Sequence, residues 1–294
     1  MSVSKVVTLT EAPKIRDIYA KAALSALPMV GGARKKGVPK STLELRDVRV
    51  DREHLGAYTK VTGLRYADAV PITYPFALVF PTVMKLMVSD DFPFAAIGSV
   101  HAENVIESFR PISFSEPLDI RVHAENLREH RKGLMIDVIS EVNVGRELVW
   151  RQTSSFLSLQ KTSLSGGPRE APPAEEVPPP PTSTLTVDQK IISRYAAVSG
   201  DRNPIHVSSL GAKAFGFPRT IAHGMWSGAA ILSTVSGKIP DSVTYTLKFG
   251  KPIMLPAKVN VYAERVGDQE GPGSWDLAMK HPKKGYPYLT GTLR

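Results

Sequence analysis

The 294-residue chain contains no cysteine. Disulfides, thiolate metal sites and a cysteine nucleophile are therefore excluded together, which fits a reducing cytoplasm as the compartment. Long apolar runs are also missing: nothing approaches the ~20 residues that a membrane-spanning helix needs. The nearest imitation runs from Ala22 to Val30. Lys21 stands directly before it and Pro28 cuts it short, so it reads as an alanine-rich helix on a domain rather than a signal peptide. Thr292-Leu293-Arg294 is not an address signal. No zinc-finger, helix-turn-helix or aromatic RNA-binding signature is found, which sets nucleic acid aside as a partner. No cluster with metal-ligand spacing stands out either.

What is present is 42% hydrophobic residues, enough to bury a sizeable core in one large domain or two ordinary ones. The net charge is +9, concentrated partly in Arg34, Lys35, Lys36 and Lys40 and in Arg128, Arg131 and Lys132. Such clusters are a solvated basic face or an attraction for a polyanionic ligand.

The clearest boundary is the Pro-rich stretch over residues 163–185, which cannot continue a helix or a central strand and favours an extended spacer. It divides the chain into comparable halves, and the halves repeat one another. Tyr58-Thr-Lys-Val-Thr-Gly63 and Tyr195-Ala-Ala-Val-Ser-Gly200 both read Y-x-x-V-S/T-G, each following a helix start at Val50-Asp51 or Val187-Asp188. Thr186 and Gln189 fit a T-x-x-Q capping box in the second copy. Helix-length apolar segments follow, one from Pro81 to Ser89 and one from Gly224 to Val235, the second apolar or small nearly all round and so buried on most sides. Phe109 to Ile112 then matches Phe249 to Ile253. Strand alternation ensues in both halves, through Leu118, Ile120 and Val122 and through Val259, Val261 and Ala263. The pattern predicts an α+β fold of two units that protect each other's sheet edges.

The chemistry is concentrated between Tyr195 and Leu232. A helix ends near Ser199-Gly200, and Asp201, Asn203, Pro204 and His206 then crowd together, with Asn-Pro fixing a turn. That turn can bring the Asp201 carboxylate and the His206 imidazole to one water molecule, as general acid–base work requires. Taken singly, Asp and Asn are also ordinary turn residues and a lone His is an ordinary structural one. Further on, Ile221-Ala-His-Gly-Met225 opens the apolar helix. First-turn N–H groups lack intrahelical partners, and Gly224 has no side chain to keep a ligand oxygen away, which makes an oxyanion hole there. The alternative is a glycine kept for close helix–sheet packing. His223 reads as structural.

Ser199-Gly200-Asp201-Arg202-Asn203-Pro204-Ile205-His206, followed by Gly216-Phe217 and Ile221-Ala-His-Gly-Met225, resembles the signature of the R-specific enoyl-CoA hydratases and MaoC-like dehydratases. The resemblance implies a double hot-dog, in which two antiparallel sheets each wrap a central helix in one chain. The implied layout is an N-terminal extension over 1–40, a degenerate hot-dog over 41–162, the linker over 163–185 and a catalytic hot-dog over 186–294. It also implies reversible dehydration of (3R)-hydroxyacyl thioesters in fatty acid metabolism, of the bacterial elongation type. Asp201 and His206 take the family's catalytic positions, and Asn203 and Gly224 its substrate-binding ones. No metal or cofactor is implied; the acyl group rides on coenzyme A or an acyl carrier protein, and the basic clusters suit both. The fused units permit a monomer or a homodimer. Two other readings share the scaffold: an acyl-thioesterase, and a non-catalytic acyl- or carrier-binding subunit.

The first half has lost the chemistry. The offset from Tyr58 to Tyr195 carries Asp201 onto Leu64 and His206 onto Ala69, neither of which transfers a proton. Tyr58 to Pro81 also spans less chain than Tyr195 to Gly224, which predicts a shorter overhanging loop and a single active site per chain. Phe76 to Phe80 reads first as core and second as lining of an acyl cavity.

Overall fold

A computed structural model describes residues 5–25, 37–166, 179–267 and 271–294. The Pro-rich stretch from 167 to 178, the basic residues Arg34, Lys35 and Lys36 and the later part of the alanine-rich N-terminal segment lie outside them. The chain opens with strand β1 (Lys5–Leu9) and helix α1 (Ile15–Ser25). The first unit contains β2 (Ser41–Val48), α2 (Arg52–Thr62), α3 (Pro75–Met87), β3 (Val100–Ser108), β4 (Leu118–His130), β5 (Gly133–Val144) and β6 (Glu147–Leu159). The second contains β7 (Ser183–Val187), α4 (Gln189–Ser199), the short α5 (Pro204–Val207) and α6 (Ser209–Ala214), α7 (Gly224–Leu232), β8 (Val243–Phe249), β9 (Ala257–Val266), β10 (Ser274–Lys280) and β11 (Pro287–Leu293).

The strand order β1-β2-β4-β5-β6-β3-β8-β11-β10-β9-β7 shows the duplication. Outward from the central β3–β8 pair, β6, β5, β4 and β2 on one side answer β11, β10, β9 and β7 on the other. Antiparallel pairing of Val105 with Thr246 and Ile106 with Tyr245 joins the two sheets into one of eleven strands. Two exposed edges are thereby consumed. Within each unit the sheet is packed on its apolar helix, which is the α+β double hot-dog arrangement. Alternation selects the packed face: Leu118, Ile120 and Val122 on β4 and Val259 and Val261 on β9 are all buried, while Arg121 between them on β4 is exposed. Among the described residues, no helix is long and apolar enough to cross a membrane.

The repeated Y-x-x-V-S/T-G sequence has a simple local cause. Asp51 and Asp188 cap the N-termini of α2 and α4 with their carboxylates, and Gly63 and Gly200 end them at φ 75° and 76°. Only glycine takes that left-handed conformation without strain. The two tyrosines of the repeat face one another across the unit boundary, ring centroids 6.1 Å apart.

Two sequence readings need correction. The T-x-x-Q capping box does not form: Thr186 belongs to β7, Asp188 caps α4 through the Ile191 N–H at 2.8 Å, and Gln189 turns elsewhere. The first apolar helix starts at Pro75, not Pro81. Proline is well suited to a helix's first position. Pro81 inside the helix forfeits one backbone hydrogen bond, a loss tolerated where Phe76, Ala77, Val79, Phe80 and Val83 bury themselves in the core. The run Phe76 to Phe80 is thus core packing. The difference in connection length is also larger than expected: α2 ends at Thr62 and α3 begins at Pro75, whereas α4 ends at Ser199 and α7 begins at Gly224.

Candidate active site

The longer connection of the second unit folds back under α7. Gly200 turns the chain out of α4, and the Asp201 N–H is received by Ser199 Oγ at 3.2 Å. Asn203 caps α5 by accepting the Ile205 N–H on its side-chain oxygen, and Pro204 occupies the first helical position. His206 therefore falls at the end of a single rigid turn, with its N–H donated to the Asn203 carbonyl at 2.9 Å. Gln189, freed from capping, donates from Nε2 to the His206 carbonyl at 2.9 Å and accepts from Thr220 Oγ1 at 2.6 Å. The segment leading into α7 braces the turn from the other side, through the Ile221 N–H to the Ile205 carbonyl.

This scaffold brings Asp201 and His206 together. His206 Nδ1 lies 2.8 Å from the Ile221 carbonyl; a carbonyl only accepts, so Nδ1 carries the proton and Nε2 presents its lone pair. That lone pair faces Asp201 Oδ2 at 4.0 Å. The spacing is too long for a direct hydrogen bond and suits an oxygen held between two acceptors, to each of which it can donate. The side chains are 9% and 21% exposed, sheltered yet reachable.

His223 belongs to the same cluster, although its sequence context assigned it no chemistry. Its ring stacks on His206 with centroids 3.8 Å apart, and its Nε2 donates to the Asp201 carbonyl at 2.8 Å, pinning the backbone of the acid. Nothing local in the sequence signals this contact, which joins residues far apart in the chain. Asp201, His206 and His223 have donor atoms within 4.8 Å of one another, a spacing that a metal ion can bridge. The hydrogen bond of His223 Nε2 to a carbonyl removes that atom from a common ligand set.

Electrostatics set the resting state. Burial pushes the Asp201 carboxyl up, but the pull of His223 and His206, the Asn203 N–H and the Tyr19 hydroxyl holds it below its ordinary value. Burial drives the His206 imidazole down, more than Asp201 and the Ile221 carbonyl restore it. Burial and the adjacent His206 bring His223 down to about 3. Near neutral pH the cluster is a carboxylate beside two neutral imidazoles.

Gly224 is the first residue of α7, and its N-cap His223 offers no side-chain cap. The first-turn N–H groups, which follow His223 of the cluster directly in the chain, thus have no side-chain competitor at the positive helix end. The packing reading of this glycine also holds: a Cβ there would meet the Phe249 ring at 2.9 Å. Both demands fall on one residue. A concavity of about 570 Å³ on the second unit's sheet, among Lys248, Tyr262 and Asp276, lies away from the pair.

Comparison with known proteins shows the family. Residues 170–280 match the MaoC like domain. A 3-hydroxyacyl-thioester dehydratase X of Mycobacterium tuberculosis is 47% identical over 93% of this chain and 95% of its own. The crystal structure of HtdX from the same organism superposes with a TM-score of 0.76, at 47% identity, covering 85% of this chain and 98% of that one. A MaoC-like dehydratase from Phytophthora capsici shares the fold at TM-score 0.66 and 17% identity, over 87% and 95% of the two chains. The chain belongs to the MaoC-like dehydratase family.

Proposed function

We propose that the protein is a (3R)-hydroxyacyl-thioester dehydratase, equally an R-specific enoyl-thioester hydratase, with Asp201 and His206 as its acid–base pair. The observation that carries this reading is the opposition of Asp201 Oδ2 and His206 Nε2 across 4.0 Å beside the uncapped start of α7. The name of the Mycobacterium tuberculosis relative, similar over nearly the whole chain, supports the same reaction.

In hydration, a water donating to both acceptors adds its oxygen to C3 of a trans-2-enoyl thioester. One proton of that water passes to the pair, and the pair delivers a proton to C2. In dehydration the same groups remove the C2 proton and protonate the departing C3 hydroxyl, releasing water. Charge developing on the thioester oxygen meets the Gly224 N–H, a preorganised donor of the kind that lowers such barriers most. Asn203 holds the turn and gives its N–H to Asp201 Oδ1 at 3.2 Å. The thioester already acidifies C2, so neither a metal nor another cofactor enters the scheme. The acyl group is carried on coenzyme A or an acyl carrier protein, in fatty acid metabolism of the cytoplasm, and the working unit is a monomer or a homodimer.

The test is an assay of the full chain on crotonyl-coenzyme A and on longer trans-2-enoyl thioesters. Loss of enoyl absorbance with formation of the (3R)-hydroxy product and no free thiol is expected. Thiol release without loss of the enoyl group would make it a thioesterase. Binding without turnover would make it a carrier or acyl-binding subunit.

A further inference from the structure

Helix α1 lies ahead of the first repeated unit. Its inward stripe is Ile15, Ile18, Tyr19 and Ala22, the spacing of one helical face. Ile18 and Ala22 are buried, whereas Arg16 and Asp17 are exposed. The stripe meets the second unit where the catalytic turn begins: a Cβ placed on Gly200 would touch the Ile15 and Phe80 side chains, each at 3.6 Å. Tyr19 is the one polar member of the stripe, and its hydroxyl donates to Asp201 Oδ1 at 2.9 Å.

That contact answers a mechanical need. The last torsion of an aspartate is broad, so its carboxylate is oriented by external donors rather than by its own rotamer. The Asn203 N–H reaches Oδ1 at 3.2 Å, the long end of the normal range. The Tyr19 hydroxyl is the shorter of the two bonds. Together they occupy Oδ1 and leave Oδ2 turned toward His206 and His223, 4.0 Å from each. Burial, with the adjacent Asp201 charge, raises the Tyr19 hydroxyl's pKa far above its ordinary value, so it remains a donor throughout the working pH range.

We propose that Tyr19 is a positioning residue: α1 uses its hydroxyl to fix the Asp201 carboxylate with Oδ2 presented to the reacting oxygen. The proposal rests on the acid–base reading of Asp201. Tyr19 touches Asp201 and not the reacting atoms, so its effect must pass through that side chain.

The test is a double-mutant cycle on the full chain, measuring kcat and KM on crotonyl-coenzyme A for Tyr19→Phe, Asp201→Ala and the combination. Phenylalanine keeps the packed ring and removes only the hydroxyl. Tyr19→Phe should lower kcat roughly 10-fold, the factor for one charge-assisted hydrogen bond, and leave KM within about twofold. In the Asp201→Ala background the same change should have no further effect on the residual rate. If Asp201→Ala itself keeps near-normal turnover, the acid–base reading fails and this proposal with it. If Asp201→Ala is impaired while Tyr19→Phe matches the parent, or Tyr19→Phe costs the same factor in both backgrounds, the positioning role is wrong and the acid–base reading stands.

Discussion

The two halves of the chain are built alike and equipped differently. Each has an aspartate-capped helix ending at a left-handed glycine, then a buried helix and a matching strand order. The difference lies in one connection. In the second half it carries Asp201 and His206 and ends at Gly224, whose N–H opens α7. In the first half the corresponding positions are Leu64 and Ala69, and α3 opens at Pro75, which has no N–H to offer an oxyanion. A depression of about 220 Å³ survives there, walled by Leu64, Ala69, Pro75 and Trp150. On the proposed reading, the groups assigned to proton transfer and to the oxyanion are absent from the first half while the frame persists. Fold and chemistry thus reside in separable parts of one sequence, the first in alternating strands and capped helices, the second in an extended turn.

The first half nonetheless supports the second. His54 bonds the Val198 carbonyl at the end of α4 at 2.7 Å, and the Trp226 indole of α7 donates to the Val61 carbonyl of α2 at 3.0 Å. Both elements that flank the Asp201–His206 turn are therefore held from across the unit boundary.

The comparison can be sharpened by giving the second half the first half's helix start. Gly224→Pro removes the N–H at a first helical position, where proline's φ fits, while bringing the same Cβ against Phe249 as alanine does; loss of one oxyanion donor should lower kcat about 10²–10³-fold. Gly224→Ala keeps the N–H but places a Cβ against Phe249. It should cost about 1–3 kcal/mol of stability by overpacking, read as a lowered melting temperature, and much less in kcat than proline. Equal kcat losses in the two variants would assign the glycine to packing alone. A smaller effect concerns pH. The proposed mechanism needs His206 neutral, and burial lowers its pKa from 6.5. Activity should therefore hold as pH falls through 6.5 and decline only below it, as the ring takes up a proton. An acid limb in kcat/KM at or above that value would contradict the buried, neutral imidazole.

Much of this was legible in the sequence because the deciding interactions are local. The repeated Y-x-x-V-S/T-G reports helix ends that need φ > 0. The Asp201 to His206 spacing reports a single turn, and the alternation of Leu118, Ile120 and Val122 reports a one-sided sheet. Pro81 misled because a helix seldom runs through a proline; here the burial of Phe76, Ala77, Val79 and Phe80 carries the helix across it. Gln189 misled because its spacing from Thr186 imitates a cap, whereas the strand runs to Val187 and Asp188 lies closer to the helix. Tyr19 and His223 carry no local signal. Their contacts with Asp201 exist only once α1 and α7 converge on the turn, and no periodicity encodes that.

On the proposed reading each chain has one site, the Asp201–His206 turn. The most direct measurement is the turnover of the full-length double variant Asp201→Asn with His206→Gln on a trans-2-enoyl thioester, beside its melting temperature. It removes from the second half's turn the two groups that the first half lacks at Leu64 and Ala69. The folded variant should lose at least the 10²–10⁴-fold that general acid–base groups contribute. Near-normal turnover from a folded double variant would place the chemistry elsewhere in the molecule.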